Sequence, residues 1–294
     1  MIYYLMLIAA VIMLAGNFAF TKLYQKTEGE SVESGLKFNI ILGIFTFVIF
    51  FVINGFKIEA NTYAVVMASL QAILVAAYSM VGFKIMSFGD MAYYTLFLMT
   101  GGMTIPYVWG LMFLDEEFSI LRTVGLLVII LSMVITNLDK NKPTFKQILL
   151  CIVVFVLNGF TSVVSKEHQI STLAVSSSAF VLLTGVAKAV ISVPIYIAVK
   201  CKKKNVIKTE SEKPKTSLLK TAGIVFGAAL ISGVSYLLQL IGARELPATV
   251  VYPIITGGCI IFTAIAGWLF FKEKPTRPLI IGIVMCFIGT CMFL

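Results

Sequence analysis

The sequence predicts an all-α integral membrane protein with ten transmembrane helices arranged as two inverted five-helix repeats. Three observations carry that prediction. Hydrophobic residues make up 59% of the 294 and charged residues 13%, with a mean hydropathy of +0.99, against about 45–50% and about 25% in soluble domains. Apolar runs close to the ~20 residues that cross a ~30 Å hydrocarbon layer recur along the whole chain. The triplets Thr100-Gly101-Gly102 and Thr256-Gly257-Gly258 superimpose when the chain is slid against itself by 156 residues.

The runs fall at 2–20, 36–54, 63–83, 91–113, 120–137, 145–164, 173–199, 218–241, 248–271 and 277–294. They are solid rather than alternating, which argues for helices and against barrel strands. The first lacks a basic n-region and a small-residue cleavage site, so it is expected to remain as a crossing. Its Asn17, Thr21 and Tyr24 form one helical stripe, matched in the sixth run by Asn158, Ser162 and Ser165. The third run places Gln71, Tyr78 and Gly82 on one face, and the eighth places Ser232, Ser235, Tyr236 and Gln239 on another. The fourth and ninth carry Tyr94 and Thr100, and Tyr252 and Thr256. These polar faces are expected to converge on a central substrate cavity.

In the seventh run Lys188 lies deep, with Thr184 and Ser192 four residues to either side. A charge at that depth costs at least ~2.5 kcal/mol on insertion scales and usually faces the bundle interior. Two readings stay open: it meets an anionic group on a substrate, or it snorkels to the cytoplasmic interface from a crossing broken at Pro194. No Asp or Glu sits well inside a run, Asp90 and Glu245 being at the ends, which disfavours proton exchange through a mid-membrane carboxylate.

Charge sets the orientation. Of 23 Lys and Arg, 18 lie in loops after odd-numbered runs; Lys57, Arg122, Lys166 and Arg244 lie after even-numbered ones, and Lys188 lies within a run. The positive-inside rule then puts the odd loops in the cytoplasm and both termini outside, in the plasma membrane. The net charge of +9 therefore reads as topology and lipid contact rather than nucleic-acid binding. The lysine-rich loop from Lys200 to Lys220 either anchors that topology or docks anionic headgroups. The five cysteines show no CxxC pairing and His168 is the only histidine, so no metal site or cofactor is expected.

Shifts of 144 and 158 residues align further positions, Thr21 to Gln25 with Ser165 to Gln169, Tyr78 with Tyr236, and Tyr94 with Tyr252. Five is odd, so a second copy starts on the opposite side of the membrane. The halves are expected at 1–140 and 141–294, forming one unit that acts as a monomer or a homodimer. Inverted repeats suit alternating access in secondary transporters. Gly101, Gly102, Gly257 and Gly258 are expected as helix-packing positions, with direct substrate contact as the other reading; Gly223 and Gly227 form a GxxxG of the same type.

The segment Gly267 to Pro275, the glycines Gly282 and Gly289 of the last run, and the repeat itself resemble the drug/metabolite transporter superfamily, in particular its EamA-like members, over essentially the whole chain. A hydrophobic-Glu motif typical of that family is matched by Glu117 and Glu273. Leu246-Pro247-Ala248 approximates its Leu-x-Pro-Ala junction, from which Phe88-Gly89-Asp90 departs. The resemblance implies a permease for small organic solutes such as amino acids, sugars, nucleosides or drugs. The small multidrug relatives use a glutamate in the first helix, where this chain has Ala15-Gly16-Asn17. The other classes are a non-transporting scaffold or receptor and a membrane-embedded lipid-modifying enzyme; no Ser/His/Asp set or paired intramembrane carboxylate favours the latter.

Overall fold

The computed structural model describes residues 1–29, 31–86, 91–136, 144–204, 218–271 and 276–294. Phe88-Gly89-Asp90, Lys140, Lys142, Lys208, Lys213, Lys215 and the 272–275 segment with Glu273 lie outside them. Among the described residues the chain forms ten helices and no strand: α1 Ile2–Glu28, α2 Val32–Ile53, α3 Thr62–Met86, α4 Met91–Phe113, α5 Ile120–Ile135, α6 Phe145–Ile170, α7 Ser177–Lys204, α8 Leu218–Glu245, α9 Ala248–Phe271 and α10 Arg277–Cys291. Eight are long and apolar enough to cross a membrane; α5 and α10 are shorter, at 16 and 15 residues.

Several helices overrun their apolar runs. Residues 21–28 and 165–170 continue α1 and α6 as helix, because backbone hydrogen bonding propagates as long as the polar side chains have somewhere to go. Tyr24 is buried and donates to Ser34 O at 3.2 Å, and Lys166 is buried at 5% exposure. Lys166, expected in a loop, therefore belongs to the bundle.

Helix ends are closed by side chains. Ser31 Oγ accepts from Ser34 N at the start of α2, and Ser119 Oγ accepts from Arg122 N at the start of α5; each satisfies one of the donors a first turn leaves free. Asn61 ties two elements, accepting from Ala64 N at 2.7 Å and donating to Leu173 O at 2.8 Å.

α2 packs chiefly on α7, α5 on α10, α1 on α8 and α9, and α6 on α3 and α4. Hydrophobicity drives no helix–helix contact in lipid, so such pairs rely on small residues and close backbones. A Cβ on Gly43 of α2 would meet Gly185 O of α7 at 2.6 Å, and one on Gly125 of α5 would meet Gly289 O of α10 at 2.8 Å. Outward faces are apolar: Ile44, Val48 and Val52 on α2, and Ile281, Val284 and Ile288 on α10, are all exposed. Patches of that extent mark an interaction surface, here the lipid.

α4 depends on α6 for a specific reason. Pro106 lies inside α4 and has no N–H to give the carbonyl four residues back, that of Gly102. Ser162 Oγ of α6 donates to Gly102 O at 3.1 Å, and Asn158 Nδ2 donates to Leu98 O at 2.7 Å. The approach is set by Gly101, where a Cβ would run into the backbone of Phe155.

In thermal melts of detergent-purified protein, Gly101→Ala costs ~1–3 kcal/mol because backbone cannot yield. Gly223→Ala, whose Cβ meets nothing within 4 Å, is neutral or stabilising by up to ~1 kcal/mol. Ser162→Ala costs ~1–3 kcal/mol by orphaning the Gly102 carbonyl, and adding Pro106→Ala, which restores an N–H, recovers most of that loss. Additive losses in the double mutant would contradict the assignment.

Candidate functional site

A cavity of about 300 Å³ lies within the bundle. Its wall comes from six helices: Leu14 and Phe18 of α1; Gln71 and Tyr78 of α3; Met99 and Gly102 of α4; Asn158, Thr161, Ser162 and Ser165 of α6; Tyr236, Gln239, Leu240 and Ala243 of α8; and Tyr252, Ile255, Thr256 and Cys259 of α9. No Asp, Glu, Lys or Arg is among these residues. What the wall offers a ligand is amides, hydroxyls, aromatic rings and a few apolar contacts, the composition of a site for a small organic molecule.

One polar hub joins three helices. Gln71 Nε2 donates to Ser165 Oγ at 2.9 Å and to Tyr236 OH at 2.7 Å; Ser165 Oγ and Tyr236 OH stand 3.1 Å apart; and Tyr236 OH can donate to Gln71 Oε1 at 3.0 Å. Two hydroxyls and one amide can thus exchange donor and acceptor roles with a ligand. Tyr252 OH donates to Ser162 O at 2.6 Å, fixing α9 on α6. Gln239 Nε2 donates to Ser235 Oγ at 3.1 Å, while Ser235 donates to Ala10 O of α1 at 2.7 Å.

Seven of the expected cavity residues, Gln71, Tyr78, Asn158, Ser162, Tyr236, Gln239 and Tyr252, line the cavity together with Gly102. Ser235 stands behind Gln239 and orients it. The ring of Tyr94 lies against Gly82, and Asn17 keeps a buried Oδ1 with no hydrogen-bond partner among the described residues; neither lines the cavity. Lys188 opens into a different pocket, between α2, α3 and α7. Gly257 seats Thr290 of α10 and Gly258 seats Val11 of α1. Thr161, Ser165, Thr256 and Cys259 join the wall in addition; Ser165 and Thr256 lie on the expected stripes, and Thr161 is one turn from Asn158.

One end of the cavity is tied by charged side chains that sequence reading passed over. The Glu116 carboxylate accepts from Ala248 N at 2.6 Å and Thr249 N at 2.8 Å, capping the N-terminus of α9, where a negative charge is favoured. Lys166 Nζ donates to Ala243 O and Leu246 O, each at 2.7 Å, capping the C-terminus of α8. Neighbouring Glu167 accepts from Trp109 Nε1 at 2.6 Å. Glu116 reaches back because Asp115 takes a left-handed φ of 50°, which Asp tolerates, and because Gly110 leaves room for the carboxylate. The motif residue Glu117, by contrast, is exposed. His168 is stacked on Phe180 with ring centroids 3.7 Å apart, a packing role.

The family model of the EamA-like transporter family matches residues 145–294. No match was found among curated proteins. Among solved structures 28 chains are similar; one, described as "Crystal structure of protein", aligns with a TM-score of 0.75 at 12% identity, covering 99% of this chain and 95% of that one. At that identity the likeness speaks for the fold alone. The apolar helices, the cavity between them and the match over half the chain lead to one conclusion: this multi-pass membrane protein belongs to the EamA-like transporter family, part of the drug/metabolite transporter superfamily.

Proposed function

We propose that the protein is a secondary transporter of the plasma membrane that carries a small, net-uncharged polar organic solute through the central cavity by alternating access. The observation that carries this reading is the cavity wall. Its six helices are α1, α3 and α4 with α6, α8 and α9, the first, third and fourth of each five-helix half. A wall of amides, hydroxyls and rings without ionisable carboxylates or cations suits a neutral or zwitterionic solute.

The helix pairings support an inverted repeat with halves at 1–140 and 141–294. Exchanging each helix for the one five places on turns α1–α8 into α6–α3, α4–α6 into α9–α1, and α2–α8 into α7–α3, and every one of these pairs is in contact. Four exchanges fail: α6–α8, α7–α8, α5–α9 and α1–α2 are in contact, whereas their images α1–α3, α2–α3, α4–α10 and α6–α7 make at most marginal contact. Broken symmetry of this kind is what a transporter caught in one state would have. The tied end holds the loops after α4, α6 and α8, which the positive-inside rule puts outside; the state is then inward-facing, the α1–α3 gap being its open side.

The test is solute flux into proteoliposomes, screened over amino acids, sugars, nucleosides and neutral drugs. At least one solute is expected to move faster than in empty liposomes. Tyr236→Phe, which removes the shared hydroxyl, is expected to cut its uptake about tenfold, equivalent to ~1.4 kcal/mol, without lowering the melting temperature by more than a few degrees. No flux for any of the panel, or full flux in Tyr236→Phe, would count against the reading.

A further inference from the structure

Lys188 sits midway along α7, eleven residues after Ser177, or ~16 Å at 1.5 Å per residue. It opens into a pocket of about 180 Å³ between α2, α3 and α7, beside Asn39, Ser79 and Ser192 and otherwise among apolar side chains such as Val75 and Ile195. Ser192 is buried at 5% exposure. No Asp or Glu is among the lining residues, and among the described residues the Lys188 ammonium has neither an ion-pair nor a hydrogen-bond partner. The contrast with Lys166 is instructive, since that buried lysine is satisfied by two carbonyls.

An unpartnered ammonium at membrane depth is costly, and Lys188 stands in the wall of a pocket that could hold its counter-charge. We infer that this pocket is a binding site for an amphipathic anion, a carboxylate or phosphate with an attached apolar portion, with Lys188 as the counter-charge. Ser192, Ser79 and Asn39 supply hydroxyl and amide groups for the anion's oxygens. The pocket is many times the ~10–15 Å³ that one water requires, enough for an anionic head and a short chain. The pocket extends to Val32 near the start of α2 and Val199 near the end of α7, so its mouth lies toward the end of the bundle that carries the lysine-rich 200–220 segment. It is separate from the central cavity. The two share only α3, whose Gln71 and Tyr78 face one and whose Ala72 and Ser79 face the other.

The experiment measures binding of hexyl phosphate and hexanoate to purified protein in phosphatidylcholine nanodiscs, by calorimetry and thermal shift, with hexanol and hexylamine as controls. The anions are expected to bind and raise the melting temperature while the controls do not. Lys188→Arg keeps binding, and Lys188→Met weakens it at least tenfold. Ala76→Phe, which fills the pocket and leaves the lysine in place, abolishes it. Because methionine is unbranched, only one atom shorter than lysine, and suits lipid, Lys188→Met is expected to fold. Adding phosphatidylglycerol to the nanodisc identifies the source: a tenfold loss of hexyl phosphate affinity marks a lipid headgroup as occupant, and no loss marks a soluble anion. Absence of anion binding by the wild type, equal binding by Lys188→Met, or binding that survives Ala76→Phe would overturn the proposal. None of these readouts involves flux, so a negative result here leaves the central cavity's role standing.

Discussion

The hydrogen bond from Ser162 to the Gly102 carbonyl expresses the constraint on which the bundle depends. In hydrocarbon there is no water to satisfy a backbone group, so the carbonyl that Pro106 releases needs a donor from outside the α4 backbone. Pro106 releases Gly102 O; Gly101 lets the backbones approach; Ser162 supplies the donor, and Asn158 adds a second bond between the same helices, to Leu98 O. That single requirement fixes α4 on α6, and Tyr252, bonded to Ser162 O, then fixes α9 on the same face. Three of the six helices of the cavity wall are positioned by it.

The remaining polar groups divide between closure and recognition. At one end, charged side chains cap two helices at the α8–α9 turn: Glu116 on the N–H groups of α9 and Lys166 on the carbonyls of α8. Further in, Gln71, Ser165 and Tyr236 bond one another with interchangeable donors. Interhelical hydrogen bonds in membranes average ~0.6 kcal/mol. A closure made of several such bonds holds one state without locking it, which is the energetic regime an exchanging transporter requires.

Much of this was legible in the sequence, for reasons that also explain what was not. A stripe at i, i+4 and i+7 identifies a helix face, so the faces of α3, α6, α8 and α9 were predicted with most of their cavity residues. Periodicity does not say which of two adjacent positions points inward, which is how Thr161 escaped and Tyr94, packed on Gly82, was included. Depth is readable but azimuth is not: Lys188 lies as deep as expected yet opens on the pocket beside α3 rather than on the cavity. Glu116 was missed because the left-handed Asp115 turns the chain, exchanging the roles that linear spacing assigned to Glu116 and Glu117. The stripes already carried Tyr24 and Ser165 past the apolar runs of α1 and α6, but Lys166 was assigned to a loop, since hydropathy cannot see that it finds buried partners.

The central claim is that opening and closing of the two ends are coupled. It is tested most directly by spin-label distances in liposomes, with one pair at Gln25 and Lys84 on α1 and α3 and another at Ile170 and Arg244 on α6 and α8, after replacing the exposed Cys201 and Cys291. Releasing the tied end with Glu116→Gln and Lys166→Met is expected to lengthen the Ile170–Arg244 distance and shorten the Gln25–Lys84 distance. If both distances stay fixed, or lengthen together, the protein does not alternate between the two states and the account fails.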